Sequence, residues 1–476
     1  MRVFLANLAW FLSTLPDALR FWLALGDPLK AQARVAARRR PTRPEDVILE
    51  EPTSGTTGGT KWIPYTEQLR REFMRAVNPW MATIYLRHPG LFFCTHYWSV
   101  SPYTEVRQPK DGPRRGFAED REYLGKIRSR IVGALFPVTA AVAGERDPER
   151  HLLATAKALV ASRRLGIVSV WHPSAFLRLL DFMASHASKL TSDARLRESL
   201  VGRRFCEIWP RLRLISCWDA AFAAADADRV RGLFPDVEVE GKGLMATEGV
   251  VTFPWFGHRV AAVTSHNLSF EEVDAQSGEP IAGKAIGVER LEPGHLYGVV
   301  LTTGNGFTGY RLGDVVECVG FERKTPRLEF RYRAGGTVDL RGEKMHPAFA
   351  AEVISKLEGR YGRARFAAFS PCADCCGYRL FWETDGGSLP AAAEVEASLA
   401  ANYHYAHAVN LRQLRPVEVV PVVDGIGLWC RATGVPLTSA KVPPILTISN
   451  LKYSPWQARC SSVADEMKMA GGMENI

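Results

Sequence analysis

One stretch of nine residues, Thr53 to Lys61, combines three glycines, four threonines, one serine and a terminal lysine. It contains no apolar side chain for a core, and its glycines disfavour a regular helix. Backbone N–H groups, hydroxyls and one ammonium can instead surround a polyanion such as a phosphate chain. The spacing differs from the common P-loop, because Thr60 stands where a second glycine belongs and Trp62 follows the lysine. The stretch therefore predicts a phosphate-binding loop of another type, with a polar surface loop as the simpler alternative.

The composition is that of a globular protein, and its dispersed positive charge would favour anionic substrates, including nucleotides. A chain of 476 residues suggests two to three domains, and 46% hydrophobic with 23% charged residues is ordinary for such proteins. The formal charge of +9 comes from dispersed arginines, with one tight run at Arg38–Arg40. No nucleic-acid-binding motif accompanies that run, so no nucleic-acid partner is predicted.

The nine cysteines do not indicate a disulfide framework, because their number is odd and they are widely scattered. Cys372, Cys375 and Cys376 form a cluster, but no second cysteine pair or histidine pair lies at zinc-finger spacing. A tight turn with free thiols is therefore favoured over a metal site.

The first 26 residues are apolar enough to raise the question of a membrane segment. Charge is absent from Val3 to Leu15, but Asp17 interrupts the stretch well short of the ~20 residues that a span requires. No convincing cleavage site follows. The leucines recur at helical spacing and predict an amphipathic helix that packs on the body through Leu5, Leu8, Leu12, Leu15 and Leu19. We therefore expect a cytoplasmic protein without a membrane partner.

Helical periodicity and short β-runs alternate along most of the chain, which predicts an α/β fold. A large N-terminal α/β body of β-sheets flanked by helices is expected over residues 1–332. The composition changes beyond this point, and a small α+β domain is expected over residues 333–476. The glycine-containing segment 330–347 is a candidate hinge that would make this C-terminal domain a mobile lid.

Three further stretches complete an ordered set with the first loop. They are KGLMATEG (Lys242–Gly249), GYRLGDVVE (Gly309–Glu317) and the lysine of SAKVPP (Ser439–Pro444). In this order and spacing the sequence resembles the adenylate-forming superfamily. Within it, the sequence is most similar to the bacterial form of the auxin-responsive promoter (Gretchen Hagen) family of acyl-acid amido synthetases. The resemblance implies an enzyme that uses ATP and magnesium to activate a carboxylic acid.

That chemistry needs groups that hold the phosphates of ATP. A carboxylate attacks the α-phosphate and pyrophosphate leaves, so charge on the β,γ-phosphates must be held during an in-line approach. The resemblance implies Glu248 as a catalytic magnesium ligand, Thr247 as a partner of the α-phosphate, and Lys441 as a lid lysine that contacts the reacting oxygens. The phosphate-binding residues would be Ser54, Gly55, Thr56, Thr57, Gly58 and Lys61.

The same resemblance implies a ribose and adenine site. Asp314 follows a glycine in a tight turn and would accept hydrogen bonds from the two ribose hydroxyls, although a lone aspartate in a turn is usually a cap. Tyr310 and Arg311 would line the same wall, Arg333 would reach the ribose, and Ala246 would lie beside the nucleotide.

Aromatic residues are candidates for the walls of the acyl pocket, although each is individually consistent with core packing. They are Tyr97, Trp98, Trp171, His172 and Phe253.

Two departures from the family pattern affect these expectations. Leu244 stands where the superfamily commonly has a tyrosine that stacks on adenine, so adenine must be held by backbone and apolar contacts or stacked from elsewhere. Ser439 and Ala440 precede Lys441 where the family has a polar and an aromatic residue, which is expected to alter the acceptor site.

The sequence thus predicts an ATP-dependent ligase that forms an acyl-adenylate and transfers the acyl group to an amine, such as an amino acid. Transfer to a thiol of coenzyme A or a carrier protein is the enzymatic alternative. A nucleotide-binding regulatory protein without turnover is a third hypothesis, against which the presence of Glu248, Asp314 and Lys441 argues.

Overall fold

A computed structural model describes residues 1–52, 62–99, 114–115, 133–138, 142, 145, 147–220, 223–274, 279–281, 283, 285–338, 340–341, 343–371, 377–384, 387–433 and 442–446. The chain divides into two compact units. The first comprises Met1–Thr53 and Thr60–Gly335, and the second continues from Gly336. The sequence placed this boundary after residue 332, inside the candidate hinge. Gly335 has a left-handed backbone (φ +74°), a conformation that glycine adopts readily.

The helices and strands alternate along both units, as the α/β prediction requires. The helices are α1 (Arg2–Ala24), α2 (Pro28–Ala37), α3 (Glu67–Arg87), α4 (Pro148–Ala161), α5 (Pro173–Ser185), α6 (Ala187–Leu190), α7 (Ala194–Val201), α8 (Phe205–Ile208), α9 (Ala224–Leu233), α10 (Pro347–Tyr361), α11 (Ala392–Leu399), α12 (Tyr403–Asn410) and α13 (Gly425–Thr433). The strands of the first unit are β1 (Val47–Pro52), β2 (Trp62–Thr66), β3 (Thr95–Trp98), β4 (Arg114–Arg115), β5 (Leu165–Ser169), β6 (Leu214–Cys217), β7 (Glu238–Gly241), β8 (Met245–Ala246), β9 (Gly249–Val250), β10 (Thr252–Trp255), β11 (His258–Ala261), β12 (Asn267–Glu272), β13 (Ile286–Gly287), β14 (Leu296–Thr302), β15 (Tyr310–Glu322) and β16 (Thr325–Arg333). The second unit contains β17 (Ala364–Pro371), β18 (Tyr378–Thr384) and β19 (Glu418–Pro421).

A four-stranded parallel sheet forms one centre of the first unit, in the order β3-β5-β6-β7. The strands β5 and β6 are buried at every position, as expected for a parallel sheet covered on both faces. All four strands run in the same direction, so the residues that follow them lie at one edge. In open parallel sheets this carboxyl edge is where ligands bind.

A seven-stranded antiparallel sheet forms the other centre, in the order β10-β11-β16-β15-β14-β12-β13. Its buried face packs with α1 and α3 in one apolar cluster. The strands β1 and β2 pair antiparallel beside it, with Pro52 opposite Trp62 at the two ends of segment 53–61. The β2 strand therefore begins where the predicted phosphate loop ends.

The helix predicted for the first residues is present as α1, but the predicted packing face is wrong. The residues that α1 buries are Ala6, Asn7, Trp10, Thr14, Ala18, Phe21 and Ala24, whereas Leu5, Leu12, Leu15 and Leu19 are exposed. Asn7 explains the difference, because its amide nitrogen donates to the carbonyls of Leu91 and Cys94 (3.1 and 3.0 Å). Its oxygen accepts a hydrogen bond from the Tyr85 hydroxyl (2.6 Å). A polar residue can line the buried face when its hydrogen bonds are satisfied, so the apolar pattern alone misidentified that face.

The second unit is an α+β arrangement of its own. The strands β17 and β18 form an antiparallel hairpin, and β19 adds parallel to β18. Buried Glu343 organises the start of this unit, because its carboxylate accepts hydrogen bonds from the backbone N–H groups of Leu340 and Arg341 (2.8 and 2.7 Å) and from the Tyr378 hydroxyl.

Several sequence predictions fall outside the described residues. These are the phosphate-binding residues Ser54, Gly55, Thr56, Thr57, Gly58 and Lys61, the lid residue Lys441, and the cysteines Cys372, Cys375 and Cys376. Among the described cysteines, Cys94, Cys206, Cys217, Cys318 and Cys430 are free thiols. Within the described residues, no helix has both the length and the hydropathy needed to cross a bilayer.

Candidate active site

Glu248 lies at the tip of a very short hairpin that β8 and β9 form. Ala246 pairs with Gly249, so Thr247 and Glu248 are the two residues of the turn. Although a hairpin tip is normally exposed, only 6% of Glu248 is accessible. The approach to this hairpin requires a glycine at Gly243, where φ is +79° and an added Cβ would lie 2.7 Å from the Thr252 carbonyl oxygen. Glu248 is thus buried at the tip of the hairpin, and the chain leads into this hairpin through a position that only glycine can occupy without a clash.

Tyr310 brings the second motif to this carboxylate. Its hydroxyl donates to Glu248 Oε1 over 3.4 Å, and its ring stacks on Phe307 with centroids 4.6 Å apart and planes 11° apart. Burial raises the pKa of the Tyr310 hydroxyl, and the neighbouring carboxylates of Glu248 and Asp314 raise it further. The hydroxyl therefore stays protonated at neutral pH and acts as a hydrogen-bond donor.

Asp314 is presented by a bulge in β15. On β14, Gly298 pairs with Val315 of β15, and Val300 pairs with Arg311. The same step along the sheet therefore takes more residues on β15 than on β14, which is a β-bulge. Gly313 within the bulge has φ +82°, a left-handed conformation. Bulges of this kind redirect side chains and are frequent beside active sites. Here the bulge sets the direction of Asp314, which is 6% exposed.

Arg333 lies opposite Asp314 on the neighbouring strand β16. Its guanidinium donates to Asp314 Oδ1 (3.4 Å) and to the Leu312 carbonyl oxygen (3.3 Å). The structure therefore brings together Glu248, Tyr310, Asp314 and Arg333, which we call the hairpin–bulge cluster. Arg333 is the last residue of its strand and stands two residues before Gly335, where the first compact unit ends.

Arg311 lies on the other side of the sheet from this cluster. Successive side chains of a strand point to opposite faces, so Arg311 is directed away from Tyr310. It forms a bidentate ion pair with Glu271 on β12, with N–O distances of 2.8 Å. This pairing lowers the pKa of the Glu271 carboxyl. The expectation that Arg311 lines the same wall as Tyr310 does not agree with this placement.

A buried network supports the cluster from α3. Glu72 Oε2 accepts hydrogen bonds from the backbone N–H of Gly304 (2.8 Å) and from His266 Nδ1 (3.1 Å). The other side of the His266 ring faces the β8–β9 hairpin, where a Cβ on Gly249 would lie 3.2 Å from Nε2. Thr66 at the end of β2 also donates to the Gly304 carbonyl oxygen (2.8 Å). Glu72 thereby connects the strand after the phosphate loop, the hairpin of Glu248 and the turn before Tyr310.

A second group of polar and aromatic side chains lies at the carboxyl edge of the parallel sheet. Lys242, directly after β7, is 4% exposed and donates to the Ser169 hydroxyl at the end of β5 (2.5 Å). Its ammonium lies over the rings of Trp80 and Trp171, 5.1 and 5.2 Å from their centroids. Trp218, directly after β6, packs against Trp171 with centroids 5.5 Å apart. We call Ser169, Trp171, Trp218 and Lys242 the carboxyl-edge cluster.

The buried ammonium of Lys242 is stabilised by two tryptophan faces and one hydroxyl. Two aromatic faces attract a cation through their negative π surfaces, and burial strengthens the attraction. A buried cation between tryptophans, at the edge where parallel sheets bind ligands, suits an organic anion with an apolar body.

The other residues expected in the acyl pocket have different surroundings. Phe253 is fully buried against Phe21, with centroids 4.6 Å apart, and Tyr97 belongs to the core beneath the parallel sheet. His172 caps α5, where its Nδ1 accepts from the Ser174 backbone N–H (3.2 Å). Trp98 is half-buried and packs against Trp10 and Phe136, with centroids 5.6 and 5.7 Å apart. Of the five, Trp171 belongs to the carboxyl-edge cluster, and Trp98 pairs with its Ser169 across β3 and β5.

The hairpin–bulge cluster could contribute one carboxylate ligand, Glu248, to a magnesium ion. Within the described residues, no group of three or more acidic, histidine or cysteine side chains has the geometry of a protein-only metal site. One buried carboxylate is nevertheless the usual protein contribution to magnesium that is held mainly by substrate phosphates and water. Glu248 fits this pattern, since it is buried and accepts a hydrogen bond from the neutral hydroxyl of Tyr310.

Sequence reasoning did not assign a role to Lys242, Ser169, Phe307 or Glu72. Lys242 lies in the KGLMATEG motif, but its neighbours Trp80, Ser169 and Trp171 come from α3, β5 and the segment after β5. The signal available in the sequence was its position directly after a β-run, which places it at the carboxyl edge of a parallel sheet.

Comparisons with known proteins support the resemblance seen in the motifs. Residues 44–199 match the GH3 family N-terminal domain and residues 261–333 match the GH3 family central domain. The chain is 30% identical over 159 residues to the indole-3-acetic acid-amido synthetase GH3.10 of Arabidopsis thaliana, covering 31% of this chain and 27% of that protein. It is 34% identical over 112 residues to the jasmonoyl–L-amino acid synthetase GH3.5 of Oryza sativa subsp. japonica, covering 22% and 19%. The alignments thus span about a quarter or less of these relatives.

The fold is also that of this group. The solved structure titled AtGH3.15 acyl acid amido synthetase in complex with 2,4-DB superimposes with a TM-score of 0.70, covering 85% of this chain and 81% of that chain at 15% identity. A second GH3.15 structure gives a TM-score of 0.68. The predicted α/β fold class and the predicted family resemblance are both confirmed.

Proposed function

Because the chain carries the N-terminal and central domains of the GH3 family, we propose that it joins a carboxylic acid to an amine through an acyl-adenylate. The observation that carries this proposal is the hairpin–bulge cluster. It unites Glu248 from KGLMATEG with Tyr310 and Asp314 from GYRLGDVVE, and with Arg333 at the end of the same sheet. Motifs that are 62 residues apart in sequence meet in one hydrogen-bond contact.

Asp314 and Arg333 suit the ribose of ATP. The carboxylate of Asp314 has two oxygens, which can accept hydrogen bonds from two neighbouring hydroxyls. The Phe307–Tyr310 stack offers an aromatic surface beside it, which supplies the adenine contact that Leu244 lacks. Thr247 stands next to Glu248 in the turn, where its hydroxyl can donate to the α-phosphate. Magnesium held by Glu248 would neutralise charge on the phosphates.

The acid would bind at the carboxyl-edge cluster. Its apolar part would lie against Trp171 and Trp218, and its carboxylate would be drawn towards the Lys242 ammonium. Lys242 and Glu248 are six residues apart in one motif, so the acid and the α-phosphate would be brought together by the same segment.

The reaction would then proceed in two displacements. A carboxylate oxygen forms a bond to the α-phosphorus of ATP while the bond to the bridging oxygen breaks and pyrophosphate leaves. The amine nitrogen next attacks the acyl carbon, AMP leaves with the bonding electrons, and the nitrogen loses its extra proton. Preorganised donors around the phosphates would stabilise the charge that develops in the first step.

The regions outside the described residues have roles in this proposal. Ser54, Gly55, Thr56, Thr57, Gly58 and Lys61 would hold the β,γ-phosphates. The unit that begins at Gly336 would act as the lid and supply Lys441 to the acyl and α-phosphate oxygens. We also place the reaction in the cytoplasm, where ATP is available and where free thiols such as the five described here persist.

One experiment tests both halves of the reaction. The purified chain is incubated with ATP, magnesium and a panel of aromatic and aliphatic carboxylic acids, with either amino acids or coenzyme A. AMP release and product mass are then measured, with Lys441→Ala as the control for adenylation. We expect AMP together with an amide, and loss of activity by orders of magnitude in the variant. Thioester without amide would show that the acceptor is a thiol, and wild-type AMP release in the variant would remove Lys441 from the mechanism.

A further inference from the structure

His96 on β3 is a fully buried histidine that no part of the proposed reaction uses. Within the described part of the chain, neither of its ring nitrogens has a hydrogen-bond partner. Burial lowers the pKa of the His96 imidazole to about 3, so the ring is neutral at physiological pH. A neutral imidazole has one nitrogen that donates and one that accepts. Buried polar groups that lack both contacts cost free energy and are rare enough in folded proteins to require an explanation.

Aromatic side chains surround this histidine. The ring centroids of Trp10, Tyr85 and Phe136 lie 5.5, 6.1 and 6.3 Å from that of the imidazole. The indole nitrogen of Trp10 is also buried without a hydrogen-bond partner among the described residues, whereas the Tyr85 hydroxyl donates to a side chain of α1. Trp98 completes the group, 5.6 Å from Trp10 and 5.7 Å from Phe136 between centroids. We call His96, Trp10, Tyr85, Trp98 and Phe136 the histidine box.

The histidine box adjoins the carboxyl-edge cluster through Trp98. This tryptophan is half-buried and pairs with Ser169 of β5, whose hydroxyl accepts a hydrogen bond from Lys242. Residues two apart on a strand project from the same face of a sheet, and so do residues paired across strands, so His96, Trp98 and Ser169 share one face. Because His96 stands two residues before Trp98, it lies about 7 Å further from the carboxyl edge. This is about the span of one aromatic ring with a substituent at each end.

The chemistry of the histidine box selects a neutral hydroxyl as its ligand. No member of the box is charged, so an anionic group there would lose its hydration without gaining a counter-charge. An ammonium has only donors and would face the N–H of Trp10, and a ketone has only acceptors and would leave the bare nitrogen of His96 unpaired. A hydroxyl both donates and accepts, so it can satisfy the two side chains together.

We propose that the substrate is an aromatic carboxylic acid with a hydroxyl group at the far end of its ring, and that the histidine box binds this hydroxyl. The hydroxyl accepts from Nε1 of Trp10 and donates to the unprotonated nitrogen of His96. The ring lies against Trp98 and Trp171, and the carboxylate reaches Lys242. This role of the histidine box rests on the proposed function, because it presupposes that the acid binds at Lys242. Trp10 lies outside the family match, which begins at residue 44.

Matched pairs of acids test the proposal. The purified chain is assayed with the para-hydroxyl and para-methyl derivatives of benzoate, phenylacetate and cinnamate, whose members have nearly equal volumes within each pair. We expect kcat/KM for acid-dependent pyrophosphate exchange to favour the hydroxyl member of at least one pair by about 100-fold or more, because a methyl group leaves the buried nitrogens unpaired. His96→Phe should lower this preference to about threefold or less, and Trp10→Phe should lower it about tenfold.

Thr155→Val on α4 is the matched control. The Thr155 hydroxyl is likewise buried without a hydrogen-bond partner among the described residues, but α4 packs in the other apolar cluster of the first unit. The hydroxyl preference should therefore stay at the wild-type value in this variant. Thermal unfolding of each variant, with and without the acids, checks folding and measures acid binding independently of turnover. The wild-type preference decides the matter even where a variant does not fold.

The outcomes distinguish the histidine box from the proposed function. Exchange that does not discriminate within any pair leaves the ligase activity in place and overturns the hydroxylated substrate. A hydroxyl preference that survives in both His96→Phe and Trp10→Phe places its recognition elsewhere. Absence of exchange with every acid, together with a rise in melting temperature that the hydroxyl acids cause in the wild type and not in His96→Phe, supports the box as a binding site and rejects the reaction. Absence of both exchange and this rise rejects both.

Discussion

The hairpin–bulge cluster and the carboxyl-edge cluster position their charges by opposite means. In the first, a two-residue turn and a strand bulge interrupt regular antiparallel pairing and direct Glu248 and Asp314. In the second, regular parallel strands end together, and Lys242 is held between the side chains of other elements. The backbone conformation sets the direction of the Glu248 and Asp314 carboxylates, whereas side-chain packing fixes the position of the Lys242 ammonium.

This difference has a consequence for what each cluster can tolerate. A side chain whose direction is set by the backbone can be replaced by an isosteric one without disturbing its surroundings. Such a substitution should lower the catalytic activity and leave the stability of the fold unchanged. A side chain enclosed by tryptophans contributes packing as well as charge, and a substitution must keep its volume. Isosteric substitutions in the hairpin–bulge cluster should therefore change activity without changing stability. In the carboxyl-edge cluster the same is expected only of substitutions that preserve the shape of the side chain.

The largest effect is expected for Glu248→Gln. The amide keeps the shape and can still accept from Tyr310, but it cannot hold magnesium beside the phosphates. We expect acid-dependent pyrophosphate exchange to fall about 100-fold or more, with an unchanged melting temperature. Glu272→Gln, an exposed carboxylate on β12, is the matched control. Exchange at the wild-type rate would show that the hairpin turn does not hold the metal.

Asp314→Asn should affect ATP binding more than the chemical step. Hydrogen bonds to a charged acceptor contribute about 1.5–3 kcal/mol, so KM for ATP should rise about 10- to 100-fold. KM for the acid should stay within about twofold of the wild-type value, because the bulge lies on the other sheet. Steady-state kinetics with each substrate varied separately measures both. A rise in the acid KM alone would reverse the assignment of the two clusters.

Lys242→Met tests the carboxyl-edge cluster while preserving volume. Methionine has a stem of similar length and volume and can pack between Trp80 and Trp171. We expect KM for the acid to rise about tenfold with KM for ATP unchanged, because a charge-assisted contact is lost. The melting temperature should fall only slightly, because the packing is kept while the hydrogen bond to Ser169 is lost. A variant with reduced stability and normal KM for the acid would make Lys242 a structural residue only.

The two clusters also differ in how much of each could be predicted from the sequence. Glu248, Tyr310 and Asp314 were selected through the motifs that carry the family resemblance, and the structure places them in one cluster, while their roles remain predictions. The role of Lys242 depended on tryptophans from α3 and from the segment after β5, which no local pattern connects. The buried face of α1 was predicted wrongly for a related reason, since the hydrogen bonds that allow Asn7 to be buried come from residues more than 70 positions away.

The smallest catalytic effect, and the clearest effect on stability, is expected for Glu72→Gln beneath the hairpin–bulge cluster. Burial alone would raise the pKa of Glu72, but the hydrogen bonds from His266, Gly304 and Gln68 outweigh it and lower the pKa. A lowered pKa in the folded state means that the ionised carboxylate contributes stability above its unfolded value of about 4.3, and that this stability is lost as the pH falls through the folded value.

The free energy of unfolding of the variant at pH 7 should therefore be about 1–3 kcal/mol lower than that of the wild type, because a buried charge-assisted hydrogen-bond network is weakened. Urea unfolding at pH 7 and at pH 3 measures the difference, which should shrink at the lower pH, where wild-type Glu72 takes up a proton. Kinetic constants of the folded variant should change by less than about threefold, since Glu72 contacts the turn at Gly304 and not the reacting atoms. A stability loss that is equal at both pH values would mean that packing, not the charge of Glu72, holds the hairpin and the turn together.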